Sequence, residues 1–281
     1  MDSEVIPYHG RHRMLVVDGL ATSYLEAGDG PPLILLHSGE FGACAELSWE
    51  FNIEALSGHF RVIAPDWLGY GQSAKVHDFT LGTGLLIRHL RRFCEVTGIT
   101  TAPFVGNSLA AGMLLSDAAS AQPELPASAI VAIAGGGDVA VNEHVDALFA
   151  YDCSVEAMQR LLKALFHSPK WFDDPDYLKR RHELSLIPGS WECVAAARFR
   201  SPAAATAGKP GPRGDSPYAG VSVPTLVIEG GDDKLKPVGW SKAVVQQIEQ
   251  ATRAVVTDAG HCPQIEQPAT VNDLIMAFLV P

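Results

Sequence analysis

The sequence predicts an α/β protein: a mostly parallel sheet flanked by helices, with a helical insertion over one end of it. Three observations carry that expectation. Short apolar runs recur along the chain, each too short for a helix and several followed by a turn and a helix-like segment. The runs are continuously apolar rather than alternating, which marks strands buried on both faces. One long segment, residues 139–219, breaks the rhythm with helical patterning and no clear strand.

In chain order, Met14–Asp18 and Ala21–Leu25 read as two strands joined by an Asp18-Gly19 hairpin turn. Leu33–Leu36 is the first fully buried strand, a helical stretch follows around Phe51–Leu56, and Phe60–Ala64 is the next strand. Pro65 to Gly71 is a turn-rich loop, and Leu85–Val96 has helical periodicity. Ala102–Val105 runs directly into Gly106-Asn107-Ser108-Leu109-Ala110 and a helix to Ala119. Ala129–Ala134, Thr225–Glu229 and Ala254–Thr257 complete the strands. Residues 1–138 and 220–281 are thus expected to form one core domain. Residues 139–219 are expected to form a cap over the carboxyl ends of the strands, where open α/β sheets bind ligands.

Composition narrows the function. The chain has 281 residues, 47% of them hydrophobic. A chain of that length buries roughly 75% of its unfolded surface without disulfide or metal staples. Twenty-one Lys and Arg against 32 Asp and Glu give a net charge of −11, which disfavours nucleic acid because phosphate contacts need a basic face. The basic clusters Arg88–Arg92 and Lys179–Arg181 read as solvated helix faces. Five scattered cysteines without a CxxC pair fit a reducing, cytoplasmic setting, and neither a secretory signal nor a membrane span is expected. The expected partners are a small-molecule substrate and, at most, a second copy of the chain in a homodimer. No HExxH, CxxC, GxxxxGK[ST] or GxGxxG motif is present, so no metal or cofactor is expected. Gly135-Gly136-Gly137 is read as a hinge into the cap.

The chemistry centres on Ser108. A strand, then small-x-Ser-x-small, then a helix is a nucleophile elbow, with Gly106 and Ala110 as the small residues that let the chain reverse. A serine hydroxyl needs a base. His261, just after the last strand, is the candidate. The acid belongs after Thr225–Glu229, where Asp232 or Asp233 could orient the imidazole; Asp233 is chosen for its spacing to Gly230 and Pro237. An oxyanion hole needs two backbone N–H donors, assigned to Leu109 and to Gly39 in the loop after Leu33–Leu36. His37 is read as a brace for that loop rather than as a base.

With these residues in place, the chain resembles the α/β-hydrolase fold over essentially its whole length. It is most similar to the meta-cleavage product hydrolases, which cut a carbon–carbon bond in vinylogous 1,5-diketones. The likeness runs through Asn52–Leu56, Phe60–Asp66 and Gly69–Ser73 to Gly106-Asn107-Ser108, and to Gly260-His261 with Gln264 and Glu266. The resemblance implies a serine-dependent hydrolase of a hydrophobic, aromatic or cyclic carbonyl compound. Ser38, Glu40, Asn107, Trp191, Arg198 and Cys262 are its candidate substrate contacts. Three departures stand out. Ser38-Gly39-Glu40-Phe41-Gly42 replaces a glycine-rich run, and its Glu40 opposes an oxyanion unless it points away. Cys262 replaces a tryptophan. The cap arginine that grips the substrate carboxylate has no match in Ser185-Leu186-Ile187-Pro188, leaving Arg198 or Arg200 as substitutes to consider. A carboxylesterase or lactonase acting on a neutral ester is the alternative. A lyase, cyclase or isomerase reusing the fold is the second.

Overall fold

The computed structural model describes residues 12–197 and 217–280. Eight strands form one sheet: β1 (His12–Val17), β2 (Leu20–Ala27), β3 (Pro32–Leu36), β4 (Arg61–Pro65), β5 (Ala102–Asn107), β6 (Ala127–Ile133), β7 (Thr225–Gly230) and β8 (Ala251–Val256). Their spatial order is β1-β2-β4-β3-β5-β6-β7-β8. The β1–β2 and β2–β4 pairs are antiparallel and every later pair is parallel. Asp18 and Gly19 both take positive φ, 49° and 83°, as a type I′ hairpin turn requires.

Successive side chains of a strand point to opposite faces, and the central strands use both. Ile34, Leu36, Phe104, Ala132 and Val227 belong to one core. Leu33, Leu35, Val105, Val131, Ile133, Leu226 and Ile228 belong to the other. Helices α3 (Thr83–Val96) and α4 (Leu109–Ala118) cover the first face, through residues such as Leu90, Phe93, Leu114 and Leu115. The second face is covered by α1 (Ala45–Trp49), α2 (Ile53–Ser57) and the C-terminal helix, through Trp49, Leu56, Val271 and Ile275.

Between β6 and β7 the chain leaves the sheet and forms α5 (Glu143–Phe149), α6 (Val155–Leu165), α7 (Pro175–Ser185) and α8 (Ser190–Ala196). Side chains start these helices. Asn142, Ser154 and Asp174 each accept backbone N–H groups at an N-terminus, and Pro175 occupies the first turn of α7. Leu161, Leu162, Phe166, Trp171 and Tyr177 join the first core, so this layer packs against the sheet domain. Trp171 sits in an aromatic cluster with Phe166, Tyr177 and Phe51. After β7 come α9 (Trp240–Val245), then α10 (Pro263–Glu266) and α11 (Pro268–Leu279) beyond β8. No helix among the described residues is long and apolar enough to cross a membrane.

Candidate active site

Ser108 lies between the end of β5 and the start of α4, with φ 56° and ψ −110°. A non-glycine residue held there stores on the order of 1–3 kcal/mol and needs surroundings that fix it. Those surroundings are specific. The Ser108 N–H donates to the Ile133 carbonyl of β6 at 2.8 Å, and Gly112 N–H donates to the Ser108 carbonyl at 3.0 Å. A Cβ on Gly106 would lie 2.9 Å from Ala110 C and Ala111 N, so only glycine lets the helix turn back over the strand. A Cβ on Gly135 would lie 2.3 Å from the Ser108 carbonyl oxygen. Gly135, read from the sequence as part of a hinge, therefore makes room for the elbow.

His261 follows β8 and Asp233 follows β7, so both project from the same end of the sheet as Ser108. His261 Nε2 is 2.7 Å from Ser108 Oγ, and His261 Nδ1 is 2.8 Å from Asp233 Oδ2. A carboxylate only accepts, so Nδ1 carries the proton and the Nε2 lone pair faces the serine hydroxyl. Asp233 Oδ1 accepts the Leu235 N–H at 2.9 Å, which leaves Oδ2 to the imidazole. The His261 and Asp233 side chains are 6% and 2% exposed. Asp232 points elsewhere: 44% exposed, its carboxylate is 3.7 Å from the exposed His167 ring. Among the described residues, His167, Asp232 and Asp258 form the one side-chain grouping able to hold a metal ion, and all three are exposed.

Gly39 and Leu109 are brought together, since a Cβ on Gly39 would lie 2.4 Å from Leu109 Cδ2. The loop carrying Gly39 is pinned on both sides. The Tyr70 hydroxyl donates to the Gly39 carbonyl at 2.9 Å. Trp67 N–H donates to His37 Nε2 at 3.0 Å, so His37 Nδ1 holds the proton and donates to the Ser38 carbonyl at 2.7 Å. Burial holds the His37 ring below the usual histidine range despite Asp66 nearby. It is neutral and fully engaged, which is a brace.

Glu40 does not stand alone. Arg181 Nη2 donates to Glu40 Oε1 at 2.8 Å and Arg181 Nη1 donates to the Gly42 carbonyl at 3.3 Å; the two ionic side chains are 1% and 6% exposed. Burial pushes the Glu40 carboxyl up, but Arg181, the Ser38 hydroxyl and its own backbone N–H outweigh it and hold the group below its ordinary value. One sequence reading is corrected here. Lys179–Arg181 is not wholly a solvated face: Lys179 is solvated, the half-buried Arg180 pairs with the buried Glu50, and Arg181 is itself buried. The helical layer thus carries a buried arginine, seven positions before Pro188. Its signal was faint but present, because Tyr177, Arg181 and Ser185 recur every four residues as the buried stripe of α7.

The other candidate contacts face inward. Asn107 is fully buried and donates its amide to the carbonyls of His261, at 3.1 Å, and Ile133, at 3.3 Å, which ties the histidine loop to the nucleophile strand. Cys262 is fully buried with Sγ 3.7 Å from Asn107 Oδ1, and burial, reinforced by Glu40, pushes its thiol well up. Trp191 stacks on Phe41 with ring centroids 6.5 Å apart and donates to the Tyr151 carbonyl at 3.4 Å, so it packs α8 onto the Gly39 loop. Arg198 and Arg200 lie outside the described residues.

An α/β hydrolase family model matches residues 33–274. The chain belongs to the α/β hydrolase family. The hydrolase is 31% identical, over 95% of its own length and 90% of the relative's, to a 2-hydroxy-6-oxo-6-(2'-aminophenyl)hexa-2,4-dienoic acid hydrolase of Metapseudomonas resinovorans. It is 28% identical, over 95% and 93%, to a 2-hydroxymuconate semialdehyde hydrolase of a Pseudomonas strain. Among solved structures it matches the meta-cleavage product hydrolase of Pseudomonas fluorescens IP01. That match has a TM-score of 0.82 and 26% identity, and covers 95% of this chain and 97% of the other.

Proposed function

We propose that the hydrolase cleaves the bond between carbons 5 and 6 of a 2-hydroxy-6-oxohexa-2,4-dienoic acid, using Ser108, His261 and Asp233. The observation that carries this reading is the hydrogen-bonded line from Asp233 through His261 to Ser108 at 2.8 and 2.7 Å, in a chain related throughout its length to hydrolases named for such substrates. His261 takes the proton of Ser108 as the hydroxyl adds to the C6 carbonyl, or of a water that adds instead. Asp233 stabilises the imidazolium that results. The developing oxyanion meets the N–H groups assigned to Leu109 and Gly39. Once the 2-enol has ketonised, the C5–C6 bond breaks with its electron pair leaving on an enolate. The C6 fragment departs as a carboxylic acid after one water has been consumed.

Arg181 supports a second reading. Its guanidinium is held by Glu40, so the pair is neutral, and a substrate carboxylate would have to compete for it. A neutral ester would not. Paired turnover of a dienoic ring-cleavage product and a neutral aryl ester, with wild type and Ser108→Ala, decides between the two. Loss of the dienol absorbance that Ser108→Ala slows at least about a thousandfold supports C–C hydrolysis. Turnover of the ester alone supports an esterase. Dienol turnover unchanged in Ser108→Ala refutes the serine mechanism, and turnover of neither substrate refutes both hydrolytic readings in favour of a non-hydrolytic reaction on the same fold.

A further inference from the structure

The loops that carry Asp233 and His261 are both fastened to one place, the C-terminal end of α6. His261 N–H donates to the Leu165 carbonyl at 2.7 Å. Lys234, the neighbour of Asp233, donates its ammonium to the carbonyls of Lys163 at 2.9 Å and Phe166 at 3.1 Å. A cation is well placed there, because the last carbonyls of a helix are unsatisfied and carry its negative pole. The two catalytic loops also touch each other closely, since a Cβ on Gly230 would lie 1.9 Å from the Gly260 carbonyl oxygen.

Glu266 closes the arrangement. Its Oε1 accepts His167 N–H at 3.0 Å and Ser168 N–H at 2.8 Å from the chain just past α6. Its Oε2 accepts Gly260 N–H at 2.6 Å, immediately before His261. One carboxylate thus joins α6 to the histidine loop through three backbone donors, and bonds of this kind are about twice as strong as neutral ones. The approach is tight, since a Cβ on Gly260 would lie 2.5 Å from the Leu165 carbonyl oxygen.

We infer that Glu266, with Lys234 opposite it, is a positioning device that makes the end of α6 set the Asp233–His261–Ser108 geometry. This rests on the reading of Ser108 as the nucleophile. The helical layer is then a working part of the base, and loosening Glu266 loosens the imidazole. Glutamine at 266 has a single acceptor oxygen, so it must release either the His167–Ser168 side or Gly260.

The test follows Ser108 with a fluorophosphonate, whose rate of attack needs a well-placed imidazole and no particular substrate. Full-length wild type, Glu266→Gln and Lys234→Met are compared for labelling rate, for kcat and KM, and for melting temperature. The device predicts labelling and kcat about 10- to 100-fold slower in Glu266→Gln, as expected when a distant change misplaces a reacting group by up to an ångström. KM should stay within a factor of about two. Lys234→Met should show a smaller loss in the same two rates, and it decides the matter if Glu266→Gln fails to fold. Lower melting temperatures with wild-type labelling and kcat would make Glu266 and Lys234 structural only, and would overturn the inference while leaving the Ser108 reading intact. A wild type that resists the fluorophosphonate would overturn both.

Discussion

Replacing Arg181 by methionine isolates the charge of the Glu40–Arg181 pair, because methionine fills much of the same channel without the guanidinium. The wild-type pair has side chains 6% and 1% exposed and a 2.8 Å bond, so removing the cation strands a carboxylate in the core. Breaking a buried pair from one side costs about 3–5 kcal/mol, and the Ser38 hydroxyl and the Glu40 N–H offset only part of that. The pH dependence gives the sign. In the wild type the Glu40 carboxyl is held below its ordinary value, so its contribution is present above about pH 4.3, the usual glutamate value, and fades as pH falls through the lower folded value. Without Arg181 the burial effect dominates and the folded value rises. The stranded charge then costs stability at neutral pH and is relieved on acidification. Urea denaturation from pH 4.5 to 7.5 should therefore show the variant furthest below the wild type at neutral pH, with the gap narrowing towards pH 4.5. Adding Glu40→Gln removes the stranded charge and should recover at least about 2 kcal/mol, a coupling that a double-mutant cycle measures directly. An Arg181→Met variant within about 1 kcal/mol of wild type at pH 7, or a gap that does not change with pH, would refute the account of Glu40 as an ion-paired carboxylate.

The two neighbouring aspartates separate cleanly. Asp233→Asn should slow turnover about 10³- to 10⁴-fold, because the amide oxygen stays with the Leu235 N–H and its NH2 donor then faces Nδ1 and favours the wrong imidazole tautomer, whereas Asp232→Asn should stay within a factor of about two; steady-state kinetics of both variants checks this. Gly135→Ala places a methyl group 2.3 Å from the Ser108 carbonyl oxygen and 2.4 Å from Ala111 Cβ. It should cost about 1–3 kcal/mol and slow fluorophosphonate labelling, as thermal melting and the labelling rate report.

What the sequence made legible follows a physical division. The central strands were readable because burial on both faces leaves a continuous apolar run, and the structure keeps Leu33–Leu36 and Thr225–Glu229 within β3 and β7. The elbow was readable because steric crowding between β5 and α4 restricts positions 106 and 110 to small residues. Short helices such as α1, with five residues, carry too few turns to show a period. The 12-residue α11 opens on a proline and a run of small and polar residues, and went unread for lack of a strong amphipathic stripe. Asp233 and His261 were found although His261 lies 153 residues from Ser108, because this fold delivers them in a fixed order after β7 and β8. No such order governs Glu40 and Arg181, 141 residues apart, or Glu266, whose partners are backbone N–H groups that every residue but proline possesses. A side chain whose role is defined by a chemically unspecific partner does not declare that role through its identity: Glu266 counts in the family likeness, but its contacts do not follow from it. Glu266 and Lys234, which hold the end of α6 to the catalytic loops through backbone groups, are of that kind. Arg180 and Arg181 show how little separates the cases: adjacent, alike in type and on one helix, they differ in burial because 100° of helical rotation turns the second into the core.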